Sequence, residues 1–152
     1  MIIRRLLPLL ALLSFLAVAA GARADDLDDA MQRYLDSIRY ANTVAFLHLF
    51  SQKEKWKFVS YRAGTSAIVG TTSFTYDETE AAIQKHLGFY TAFFVGMAQY
   101  SYPARVAAHP LSTWRRMEEN VYRLPESEGI SFVRWRQEDG QWFIASIGDD
   151  AP

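Results

Sequence analysis

The chain has no cysteine. Disulfide staples, thiol catalysis and zinc–thiolate centres are therefore excluded. Histidine is scarce. His48, His86 and His109 are too scattered to form an H-x-x-x-H metal pair. No glycine-rich phosphate loop occurs, because "GTSAIVG" fits neither dinucleotide nor P-loop spacing, and no G-x-S-x-G elbow exists. The residues thus imply no cofactor and no metal. Long apolar runs are also missing after the N-terminus. The longest, residues 87–98, has twelve residues where a membrane span needs ~20.

The N-terminus carries a targeting signal. "MIIRR" is a short basic region, residues 6–20 form an apolar run interrupted by Pro8 and Ser14, and Ala22-Arg23-Ala24 offers small residues at a cleavage site. This is the three-part pattern of a secretory signal peptide over residues 1–24, with cleavage after Ala24. It predicts a secreted or periplasmic protein whose single domain covers residues 25–152. With no Cys near the site, no lipoprotein anchor is expected. Three of the sixteen basic residues (Arg4, Arg5, Arg23) lie in the signal, and all seventeen acidic residues lie beyond it. The remaining domain is mildly acidic, which argues against nucleic acid as a partner. It is long enough to bury a core without cross-links.

Residues 26–41 place Leu27, Met31, Tyr34, Leu35, Ile38 and Ala41 at helical spacing behind an acidic first turn. Residues 42–51 are densely apolar. They read as a second helix capped by Asn42 or Thr43, with a buried strand as the rival. Residues 56–62 alternate as a strand, with Trp56, Phe58 and Ser60 on one face and Lys57, Val59 and Tyr61 on the other. Residues 66–76 form a second strand, with Gly70 marking a bulge or turn. The basic "KEKWK" just before and within the first strand reads as a charged strand edge, which blocks sheet-to-sheet association. A long helix is expected over 75–98, with capping-box spacing at Thr75/Glu78 and Asp77/Glu80. Ile83, Leu87, Tyr90, Phe94 and Met97 make its stripe. Residues 99–110 read as an extended loop, 111–119 as a short helix, 120–124 as a strand and 125–129 as a turn.

The chain closes in a hairpin, "ISFVRWRQEDGQWFIASIG". A three-residue Glu138-Asp139-Gly140 loop predicts Trp135 opposite Phe143, Val133 opposite Ala145 and Ser131 opposite Ile147 on a core face. The other face then pairs Arg136 with Trp142, Arg134 with Ile144 and Phe132 with Ser146. On this register Arg134, Arg136 and Trp142 share a surface. They make either a guanidinium stacked on an indole or a shallow anion- or partner-binding patch.

The helical N-terminal third, the middle helix after a strand, and the ending "VRWRQEDGQWFIASI" resemble the nuclear-transport-factor-2-like (SnoaL-like) superfamily. Its domains often close with a strand, a Gly turn and a strand beginning Gly-x-Trp. "AFLHLFS" is similar to their first-helix region. The resemblance implies an α+β fold in which N-terminal and middle helices pack on a curved antiparallel sheet around a cone-shaped cavity. That fold hosts enzymes, ligand binders and interaction domains alike. His86 and Tyr90, one turn apart on the long helix, are the candidate acid–base pair. The expected function is a non-catalytic binding module for a protein or small ligand, acting through the cone mouth or the Arg134/Arg136/Trp142 face. A homodimer stays open. The alternative is a small cavity enzyme of the isomerase or dehydratase kind.

Overall fold

A computed structural model describes residues 26–62, 65, 67–86, 109–117, 120–125 and 131–151. The proposed signal segment and the whole apolar run over 87–98, Tyr90 included, lie outside them. Two helices come first, α1 (Asp26–Arg39) and α2 (Thr43–Leu47). A hairpin follows, made of β1 (Trp56–Arg62) and β2 (Ile68–Phe74), and then α3 (Tyr76–Gln84). A 3-10 turn (Leu111–Thr113) leads into β3 (Arg115–Met117), β4 (Val121–Arg123), β5 (Ser131–Glu138) and β6 (Gln141–Ala151). The six strands form one open sheet in the order β2-β1-β6-β5-β4-β3.

The fold is α+β, but the sheet is mixed rather than antiparallel throughout. The last strand returns to the middle and runs parallel to β1, with Phe58 beside Ile147. This pairing is between residues far apart in sequence, and no local pattern announces it. It also places β1 inside the sheet, so "KEKWK" is not a strand edge. The edges are β2 and β3.

The apolar stripe of α1 is buried as the spacing predicts. Leu27, Met31, Tyr34, Leu35 and Ile38 are all inaccessible. They meet Tyr122, Val133, Trp135, Ile144 and Ile147 from the sheet in one core. Aromatic rings run through it as a chain. Trp135 meets Tyr34 edge-on at 6.4 Å, Phe46 and Phe50 are 5.0 Å apart, and Trp56 stacks between Phe50 and Phe74. Such pairs add about 0.5–1.5 kcal/mol each beyond the area they bury. Trp56 is fixed further by donating its indole N–H to Thr79 Oγ1 of α3 at 2.8 Å.

Helix ends follow their caps. Ala41 takes a left-handed φ of 50°, and Asn42 accepts the Ala45 N–H to open α2, which is helical for only five residues. Thr75 and Glu78 form the complete capping box of α3; the Asp77/Glu80 spacing is not the one used. The continuous helix expected to residue 98 is corrected, since α3 ends at Gln84 and His86 adopts a left-handed φ of 54°. The helix expected over 111–119 is corrected too. Only a 3-10 turn forms, after which Arg115–Met117 is drawn into the sheet against β4. Three-residue spacing of Leu111, Trp114 and Met117 did not outweigh strand pairing.

Candidate functional site

The hairpin register differs from the expected one. Asp139 (φ 49°) and Gly140 (φ 82°) alone form the loop, and Glu138 pairs with Gln141. Two consecutive left-handed residues make the tight turn whose twist matches the strands, and Asp-Gly suits it. Every pair near the tip therefore moves by one. Trp135 faces Ile144, Arg136 faces Phe143 and Gln137 faces Trp142. An irregularity between Arg134 and Trp135 then resets the ladder, pairing Arg134 with Ser146 and Val133 with Ile147.

The consequence for the expected patch is direct. Trp142 shares the helix-facing side of the sheet with Trp135 and packs against the core, while Arg134 and Arg136 lie on the opposite side. The three residues do not form one surface, because Trp142 lies on one sheet face and Arg134 and Arg136 on the other. Arg136 is committed elsewhere. Its Nε donates to Glu138 at 2.6 Å, and its Nη1 reaches the Lys55 carbonyl at 3.5 Å. Glu138 also accepts from the buried Ser51 hydroxyl at 2.6 Å. At the tip, Lys53 and Asp139 form an exposed pair whose hydrogen bond raises the lysine pKa and lowers the aspartate's.

Trp142 instead lines the larger cleft, of about 600 Å³. The first residues of β6 project beyond its pairing with β1, which starts at Ser146. The helix junction lies beside that projecting end and is held there by the Ile144 N–H bonding to the Leu49 carbonyl at 2.8 Å. Arg33 and Asp36 of α1, Tyr40 just past its end, His48 after α2, and Gln141, Trp142 and Phe143 of β6 line the space. A smaller cleft of about 330 Å³ adjoins it and shares His48, Gln141 and Phe143.

The charges in the larger cleft are unequal. Asp36 is held by Gln32 at 2.9 Å and by Arg39 at 3.1 Å. Arg33 makes no ion pair with any described residue, so the cleft has a cationic bias. The buried indole N–H groups of Trp135 and Trp142 bond to no described group. The volume falls within the range of small-ligand sites.

Of the acid–base pair, His86 is exposed just past α3, and Tyr90 lies outside the described residues. The histidine that does line both clefts is His48. Sequence reasoning passed it over because it lies in a dense apolar stretch with no partner at motif spacing. Trp114, which follows the 3-10 turn, is buried in the core. Among the described residues no group of three His, Asp or Glu converges as a metal site, and no helix is long and apolar enough to cross a membrane. In comparisons with known proteins, no family model, no curated protein and no solved structure matches the chain.

Proposed function

We propose that the protein is an exported, non-catalytic binding module of the nuclear-transport-factor-2-like kind, which captures a small anionic or ring-bearing ligand in the cleft beside Trp142. The observation that carries this reading is the cleft's composition. Trp142 and Phe143 line it together with His48 and with Arg33, which makes no ion pair with any described residue. Flat apolar surface supplies affinity, and a few convergent donors fix orientation. The fold-level part of the proposal is supported by helices preceding a hairpin, a middle helix and a closing four-strand meander. Export is supported by the pattern of residues 1–24, and N-terminal sequencing of the exported protein should start at Asp25.

The ligand test is a thermal-shift screen against small carboxylates, phosphates and aromatic acids. A true ligand raises the melting temperature with concentration, because it binds only the folded chain. It should also perturb Trp142 fluorescence. Arg33→Ala combined with His48→Ala should remove the shift while leaving the unliganded melting temperature nearly unchanged, since both side chains are exposed. Shifts that survive the double substitution would place the ligand elsewhere and end the proposal.

A further inference from the structure

We infer that β2 is a self-association edge, through which two copies of the chain pair antiparallel about a two-fold axis and join their sheets into one. The two edges of the sheet are built differently. β3 is three residues long and carries Arg115 and Arg116, the second of them paired with Asp28 of α1. A short, charged strand is one way proteins keep an edge from pairing. β2 is seven residues long, and no charged residue and no proline occurs from Ala63 to Tyr76. Its sequence, IVGTTSF, is rich in the β-branched residues that suit a strand. Among the described residues its strand partner is β1 alone, so the backbone N–H and C=O groups of its other side point out from the sheet. Residues 68–73 are all exposed, with Ile68 60% and Val69 50% accessible. Among the described residues no heavy atom lies within 4 Å of a Cβ built on Gly70.

The register selects the occupant. The ladder with β1 is regular from Phe74 to Gly70 and breaks at Val69, the residue left over between the Ser60–Gly70 and Tyr61–Ile68 pairs. That bulge confines flush pairing to Gly70–Phe74, whose midpoint is Thr72. A two-fold axis through the midpoint sets Thr72 opposite its own copy and Thr71 opposite Ser73 on either side. These are hydroxyl pairs, which stabilise neighbouring strands by hydrogen bonding. A neutral strand also meets itself without like-charge repulsion. Pairing uses up the long edge and leaves the blunted β3, so association closes at two copies. An extended peptide of another protein would find the same backbone groups. Recognition of that kind takes its specificity from pockets for alternate side chains, and no β2 residue lines either cleft. A pairing this short falls at the small end of specific interfaces, below about 1,200 Å², so the dimer is concentration-dependent.

The test is sedimentation equilibrium of the full chain over a series reaching millimolar concentration. Wild type should pass from monomer to dimer. Thr72→Lys and Thr72→Glu, at an exposed position, each set like charges directly opposite and should weaken the dimer about fivefold. Mixed in equal amounts, the two variants set opposite charges across the axis and should associate at least as well as wild type. Residues 1–24 are the same in every sample, so the differences between variants carry the result. Because the chain lacks cysteine, Thr72→Cys gives a second reading. Under mild oxidation it should form a disulfide-linked dimer several-fold faster than Asp29→Cys on the exposed side of α1. A chain that stays monomeric at every concentration overturns the inference and leaves a strand of another protein as the occupant. So does a dimer that the Thr72 variants leave unchanged, which would place the contact elsewhere. A mixture no stronger than its components overturns it too, since opposite charge does not rescue a fold that substitution has merely damaged.

Discussion

Gly148 is buried in β6 directly opposite Phe132, and the phenyl ring lies across its Cα. A Cβ added there would be 2.7 Å from the ring Cζ and closer still to Cδ1 and Cε1. Gly148→Ala must therefore displace the ring. Phe132 is half-buried and touches Tyr61 edge-on at 6.2 Å. Swinging it into water forfeits roughly 80–100 Å² of apolar burial, about 2 kcal/mol, together with the aromatic contact. Alanine recovers about 0.5–1 kcal/mol by restricting the unfolded chain. The net loss should be about 1–2 kcal/mol, and Phe132→Ala alone should cost about 2 kcal/mol. In the Phe132→Ala background there is no ring to displace, so adding Gly148→Ala should be neutral or slightly stabilising. The cycle then shows a coupling of about 2 kcal/mol, read from urea unfolding midpoints at constant m-value. Additivity within about 0.5 kcal/mol would refute the close approach.

Trp135→Ala should cost about 3–5 kcal/mol as a core truncation, and Trp142→Ala clearly less, because Trp135 is 2% accessible and Trp142 is only half-buried. Equal losses in thermal unfolding would contradict the hairpin register. Thr79→Val preserves volume but strands the Trp56 indole N–H, so it should cost about 1–3 kcal/mol, while Thr79→Ser should largely retain stability. The Glu78 carboxylate is held below its ordinary value of 4.5, chiefly by the Thr75 backbone N–H. Its stabilisation is therefore complete above the unfolded pKa and is lost as pH falls through the lower folded value. An acid titration of stability should show this below about pH 4.5, and Glu78→Gln should flatten that part of the profile.

The parts of the fold that were legible in the sequence are those that local chemistry decides. The stripe from Leu27 to Ile38 needs only helical period and a core. The Thr75/Glu78 box needs only a hydroxyl and a carboxylate three residues apart, and both bonds form. Trp56 and Phe58 could be put on one common face because alternation survives wherever the strand pairs, and that face is the one that meets the core. The irregularity beside Gly70, where Ser60 pairs with Gly70 but Tyr61 with Ile68, falls where a glycine suggested it. What could not be read depends on distant residues. The parallel contact of β1 with β6 joins segments nearly ninety residues apart. The strand at Arg115–Met117 exists only because β4 is there to pair with it. His48 becomes a lining residue only once the hairpin tip docks beside the helix junction.

The expected patch is divided between the two sheet faces for a narrower reason. Glu138-Asp139-Gly140 fits a three-residue loop and a two-residue loop equally well by composition, because both place glycine at a left-handed position. Tertiary bonds decide between them. Glu138 is held by Arg136 beside it on the strand and by Ser51 from a distant segment, and it sits within the ladder opposite Gln141 rather than in the loop. A slip of one residue would send every later side chain of β6 to the wrong face. The extra residue, Ala145, absorbs it, so that Ile144 stays against Trp135 and Ile147 against Val133. The core is kept on both sides of the bulge. Only the segment between bulge and turn is exchanged, and Trp142 lies within it. The indole is thereby delivered to the cleft beside Arg33 and His48. Arg134, beyond the bulge, stays on the outer face with Arg115 and Arg123. The separation of Trp142 from Arg134 thus follows from one inserted residue in β6.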